Sequence, residues 1–274
     1  MIAYHLPMLA IADGARVSTL GGEVRRFLFE EFERVDSDWA RKRYFVEGTA
    51  VWTTDGSAAD RDRDDDLVDC AELLRLAATA VLEAPLASPR LTIRYFASDN
   101  KSVTRVVGPF ERTLLLSDRT VATADQETLR RIGALADSWH EMGYRADHPV
   151  FSALDAFGAV YSSFHGQTEL QVLPTMVALE GIFVPWGEGS IAKRMISALS
   201  PLLSSEKALT QLVRRLYDLR SDLIHGRRVK VEGGELVAGA GTIACRATLA
   251  LMDRLVGQGL TPETWTEALE LDDD

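Results

Sequence analysis

The chain has 274 residues, enough for one large domain or two small ones. Hydrophobic residues make up 46% and charged residues 26%, which excludes a largely disordered chain and leaves ample apolar material for a core. The net charge of −11 argues against indiscriminate nucleic-acid binding, because phosphate is repelled at long range.

No stretch of about 18 uninterrupted apolar residues is found, so no membrane-spanning helix and no membrane partner are expected. Met1 to Ala12 is apolar but lacks a basic leader, and Asp13 and Arg16 follow at once, a poor pattern for a signal peptide. Cys70 and Cys245 lie 175 positions apart, which excludes a disulfide scaffold and a cysteine metal cluster and fits a reducing cytoplasm.

In chain order, Arg16–Gly22 is turn-rich, and Glu23–Val35 carries Val24, Phe27, Leu28 and Phe32 at near-helical spacing. Tyr44–Thr53 is aromatic and β-branched, which suits a strand. Asp55–Asp66 reads as a charged, solvated loop; it could attract a cation, but it lacks the alternation and glycine of an EF-hand loop. Leu67–Leu82 reads as an amphipathic helix ended by Pro85 and Pro89. Leu91–Phe96 alternates like a strand, and Val103–Val107 and Thr113–Leu116 are further candidates. Asp125–Glu141 reads as a helix with Leu129, Ile132, Leu135, Ala136 and Trp139 on one side.

Composition changes near Gly143–Pro149, and strand signals nearly vanish beyond it. Helices are expected over Val150–Phe164, Glu169–Val184, Ser190–Leu203, Ser205–His225 and Thr242–Gly257. Gly226 stands in the usual position just past a helix end. Val229–Gly241 suggests a small hairpin around Gly233-Gly234, and Pro262–Leu271 a sixth helix. The expected architecture is an α+β region over residues 1–145 followed by an all-α bundle over 146–274.

Charge is unevenly spread. From Trp186 to Val231, nine basic residues stand against four acidic ones, +5 locally, which leaves −16 for the rest. A solvated helix face and an anion-binding surface both fit such a run. The five histidines, His5, His140, His148, His165 and His225, show no H-E-x-x-H spacing. His140-Glu141 and Asp147-His148 make only a weak metal constellation. Gly187–Arg194 (GEGSIAKR) lacks P-loop spacing, and no G-x-S-x-G or post-strand G-x-G-x-x-G occurs. No cofactor is implied.

Arg214–Arg228 (RRLYDLRSDLIHGRR) places Arg220, Ser221 and His225 toward a helix end. R-x(4–6)-H alone arises about once by chance in a chain of this composition, so its surroundings must carry any argument. Met176–Phe183 (MVALEGIF), Leu216–Gly226 (LYDLRSDLIHG) and a preceding helix over Phe151–Phe164 together resemble the HEPN superfamily, in particular its Apea-like branch. The resemblance covers about residues 147–258 and none of the N-terminal half.

The resemblance implies a helical bundle that dimerises, and either a metal-independent endoribonuclease or a non-catalytic RNA- or protein-binding module. It implies a toxin or phage-defence effector, with an antitoxin or regulatory partner. Arg220 and His225 match the R-x(4–6)-H pair, Ser221 the polar position after the arginine, and Glu180 the helix glutamate, a structural partner for an arginine or tyrosine. Arg214, Arg215, Tyr217, Arg227 and Arg228 are candidates for holding RNA.

The residue types suit the chemistry. RNA supplies its own nucleophile, the 2′-OH. A histidine can act as acid or base near neutrality. An arginine fork can neutralise charge on the phosphorane. The nuclease reading requires Arg220 and His225 to face one open, positively charged groove, yet positions five apart lie about 140° around a straight helix. A two-fold dimer joining two such pairs would meet the requirement. Equally, Tyr217 and Arg220 could be structural and His225 a helix cap.

Overall fold

The computed structural model describes residues 2–26, 49–54, 61–86, 92–98, 101–107, 122–163, 168–184, 190–203, 207–227 and 233–269. The chain divides into two units, Met1–Glu141 and Met142–Asp274, so the first ends at Glu141 rather than at residue 145.

Among the described residues, the first unit is a sheet with two helices. Its strands are β1 (Ile2–Ile11), β2 (Arg16–Thr19), β3 (Gly22–Arg26), β4 (Thr49–Thr54), β5 (Thr92–Ser98), β6 (Lys101–Val107) and β7 (Ala122–Ala124). Helices α1 (Arg61–Leu82) and α2 (Gln126–Glu141) complete it. The strand order is β2-β3-β4-β1-β5-β6, and β7 pairs with β1 in parallel.

Strand β1 changes phase along its length. Tyr4 and Leu6 are buried, then Leu9 and Ile11. Its register against β4 shifts between Leu6 and Ala10, and Pro7, which has no N–H to give a ladder, lies in that interval. A bulge moves the apolar set from even to odd positions while keeping it on the core side. In β4, Ala50, Val51, Trp52 and Thr53 are all buried, as expected of a strand covered on both faces. The β2–β3 hairpin turns through Leu20 (φ 52°) and Gly21 (φ 70°). Asp137 of α2 steadies this strained turn, accepting the Leu20 N–H at 2.7 Å and the Thr19 hydroxyl at 3.0 Å.

Several expectations for this unit change. Glu23–Arg26 is strand β3, not the start of a helix, because Val24 pairs with Trp52 in the sheet interior. Arg61–Asp66 is helical rather than loop. Phe27–Val35, the rest of the Glu23–Val35 stretch, lies outside the described residues, as do Tyr44–Gly48, Asp55–Asp60 and Thr113–Leu116. Helix α2 has the expected span and buries Leu129, Ile132, Ala136 and Trp139. Asp125 caps it by accepting the Thr128 N–H at 2.8 Å, which holds its carboxyl below the usual range.

Among the described residues, the regular elements of the second unit are all helices. A 3-10 helix (Pro149–Phe151) leads into α3 (Ser152–Ser163), followed by α4 (Thr168–Phe183), α5 (Ile191–Leu199), α6 (Lys207–Ile224) and α7 (Gly233–Gln258). A second 3-10 helix (Trp265–Leu269) closes it. Helix α4 packs against each of the other four. Its sequence, TELQVLPTMVALEGIF, has almost no polar face, as a central helix requires.

Two expectations for this unit are corrected. Residues 233–241 open α7 instead of forming a hairpin. Two of its glycines serve contact: a Cβ on Gly239 would come 2.9 Å from Leu212 of α6, and one on Gly241 would overlap the Phe157 ring of α3. The stretch that read as a turn is a smooth helix face on which neighbours sit closely. Near the C-terminus, residues 265–269 form a 3-10 helix rather than an α-helix beginning at Pro262. Its i→i+3 pattern begins with Thr264 N–H to Thr261 O and continues with Glu267 N–H to Thr264 O.

Candidate functional site

Helix α6 buries Val213, Leu216 and Leu219, spaced three residues apart. That stripe sets the azimuth of every other residue on the helix. Arg220 follows the stripe and turns toward α4. Its Nη2 donates to Glu180 Oε2 at 2.8 Å, with the two side chains 20% and 14% exposed. Arg220 Nε and Glu180 Oε1 are buried and make no hydrogen bond, so one bond carries the contact. The Arg220 guanidinium carbon also lies 5.9 Å from the Tyr217 ring centroid. Burial raises the Glu180 carboxyl above its ordinary range, and the charge and hydrogen bond of Arg220 pull it back.

The end of α6 is a Schellman turn. Gly226 N–H bonds to Leu223 O at 3.1 Å, and Arg227 N–H to Asp222 O at 2.9 Å. Gly226 has φ 68°, a conformation that a β-carbon would strain. His225 therefore stands at the last half-helical position, and its side chain is exposed. Ser221 is half-buried one turn earlier, and its carbonyl accepts the His225 N–H at 3.0 Å.

Arg220 and His225 thus leave the helix in different directions. Within one chain they do not form a joint exposed pair: the guanidinium is tied to α4, and the imidazole faces water.

The surrounding positive charge is thinner than the sequence suggests. Arg214 and Arg215 are exposed, and Tyr217 is half-buried. Asp218 is exposed one turn beyond Arg214. Arg227 pairs with Asp222 at 3.0 Å on the surface, where such a pair contributes little to stability but does offset charge. Arg228 lies outside the described residues. No spacing rule signalled the Asp222–Arg227 pair, since five positions is not a helix-face spacing; it forms because Arg227 lies past the helix end.

A second polar cluster went unread as a structural unit. His148 caps the 3-10 helix at Pro149–Phe151 through its side chain and reaches Pro262 O with its other nitrogen. The signal was the His-Pro step, since a side-chain acceptor just before proline is a helix-start pattern. Among the described residues, no group of three or more His, Cys, Asp or Glu is placed to hold a metal ion. No described helix is long and apolar enough to cross a membrane.

No known protein family, characterised protein or solved structure matches this chain.

Proposed function

We propose that the helical unit is an RNA-directed, HEPN-type module that acts as a homodimer and cleaves RNA endonucleolytically without a metal. What supports this reading is the Glu180–Arg220 contact. The two segments that carry the resemblance, MVALEGIF and LYDLRSDLIHG, lie 40 residues apart at this pair and meet side by side through it. The second ends in an exposed histidine.

The chemistry follows from these groups. An imidazole takes the proton from the ribose 2′-OH, whose oxygen attacks the adjacent phosphorus. A second imidazole protonates the departing 5′-oxygen, leaving a 2′,3′-cyclic phosphate. Arginine neutralises the phosphorane. Because one chain does not set Arg220 beside His225, both groups would have to meet across a two-fold axis, with each protomer giving one histidine. Ser221, on the same side of the helix as His225, would contact the ribose–phosphate chain. Arg214, Arg215, Tyr217, Arg227 and Arg228 would extend the contact. A growth-arresting or anti-phage role, with an antitoxin or regulatory partner, follows from the same resemblance.

A non-catalytic RNA- or protein-binding module is the second reading. It is favoured by the same ion pair, since Arg220 already neutralises Glu180. Incubation of the full chain with RNA in EDTA separates the two. The first reading expects cleavage that His225→Ala and Arg220→Ala abolish, at unchanged fold. Cleavage that survives both variants overturns the site. Salt-sensitive binding without cleavage establishes the second reading.

A further inference from the structure

We propose that His148 is a proton-released clasp joining the two ends of the helical unit. The imidazole is held at both nitrogens. Nε2 lies 3.1 Å from Pro262 O, and Nδ1 accepts the Val150 N–H at 3.3 Å. A carbonyl only accepts, so Nε2 carries the proton and Nδ1 is bare. The neutral Nε2–H tautomer satisfies both bonds; the other tautomer and the imidazolium do not. Tyr144 and Trp265 grip the ring edge-on, with centroids at 5.0 and 5.6 Å. One side chain therefore ties the segment that opens the unit to the segment that closes it.

A second proton undoes this arrangement. Nδ1 becomes a donor facing another donor, the Val150 N–H. With the ring seated, Val150 is 0% exposed, so its N–H has no other acceptor until the ring moves aside and lets water in. The charged groups facing the ring are Asp147, next to it in the chain, and Glu263, on the opposing segment. Tyr144 contributes a neutral phenol whose own proton is held more tightly than usual by burial and by Glu263. Burial holds the imidazole below its ordinary range, outweighing the Pro262 carbonyl and both carboxylates, which act the other way. His148 is half-buried, so a path outward exists. On protonation the ring leaves its slot toward Asp147 and Glu263, freeing the Pro149–Phe151 turn and the Trp265–Leu269 turn.

The test uses the full chain, with imidazole-nitrogen NMR of His148 and amide exchange corrected for intrinsic rates. Between pH 8 and 5, His148 is expected to titrate below an unfolded histidine, with a neutral Nε2–H form at the high end. Protection at Val150 and Phe151 should fall on the order of tenfold in step with it, the size expected for one buried N–H left without an acceptor. Glu263→Gln and Asp147→Asn should each move the midpoint lower. His148→Gln keeps a donor and an acceptor but cannot titrate, so its protection should be flat across the range. A His148 midpoint at or above the unfolded value, or protection that stays constant while the wild-type ring titrates, overturns the clasp. So does an acid response that persists in His148→Gln. If that variant does not fold, the wild-type titration decides alone.

Discussion

Removing Glu180 tests how firmly α4 and α6 are joined. The pair is 2.8 Å apart with little exposure on either side. At an effective dielectric of 20, two unit charges at this distance attract by about 6 kcal/mol before desolvation is counted. Breaking a fully buried pair by deleting one partner costs about 3–5 kcal/mol, because the other charge is stranded. Some water reaches both groups here, so Glu180→Met and Arg220→Met should each cost about 2 kcal/mol. The double variant strands nothing and also removes the unpaired Nε and Oε1, so it should cost only about 1–2 kcal/mol in total. The expected coupling is about 2–3 kcal/mol. Urea unfolding of the full chain, with amide exchange read at Leu179 and Leu216, measures it. Additive single costs would refute the reasoning. The pH dependence has a defined sign. Burial gives Glu180 a folded-state pKa above its ordinary 4.5, so the folded form binds this proton more tightly. Its contribution to stability therefore falls as pH rises from 4.5 through the raised value, then levels off. Glu180→Gln should remove that slope.

Gly241→Ala should destabilise the helical unit by about 1–3 kcal/mol through overpacking against Phe157, with part of the loss recovered by adding Phe157→Leu; thermal unfolding reads both. Tyr144→Phe removes a buried hydroxyl that makes no hydrogen bond, so stability should hold or rise by up to about 1 kcal/mol, and a clear loss would mean that the hydroxyl has a partner. Asp125→Ala should destabilise α2 near neutral pH. That deficit should disappear as pH falls through the depressed carboxyl pKa of Asp125, because the wild-type contribution is present above 3.8 and lost in acid. His225→Ala should leave thermal stability unchanged within about 0.5 kcal/mol, since the side chain is exposed, while removing any RNA cleavage that the proposed function expects.

The helices were legible where apolar residues recur every three or four positions. Helix α2 lies close to where that period puts it, and α3 to α6 lie close to the apolar stretches bounded by Gly, Pro and Ser that the sequence offers. Glycine misled at α7, because a turn and a close helix contact use the same residue for different reasons. At Gly241 the deciding fact is the ring of Phe157, 84 positions earlier. Strand β7 has three residues and little signal of its own; it exists through its pairing with β1. Met1 to Ala12 read only as an apolar stretch; the strand β1, and its bulge between Leu6 and Ala10, come from its pairing with β4.

The candidate site divides along the same line. Composition and local pattern determined the two-part architecture, the helical character after residue 145, and the helix end at His225-Gly226. These depend on neighbours within a turn or two, and a chain carries that information locally. Where Arg220 points depends on which helix lies across from α6. The packing of α4 decided it, placing Glu180 opposite the guanidinium and leaving the imidazole in water. Long-range pairing of this kind is set by the burial of whole helix faces, which no short stretch of sequence specifies alone.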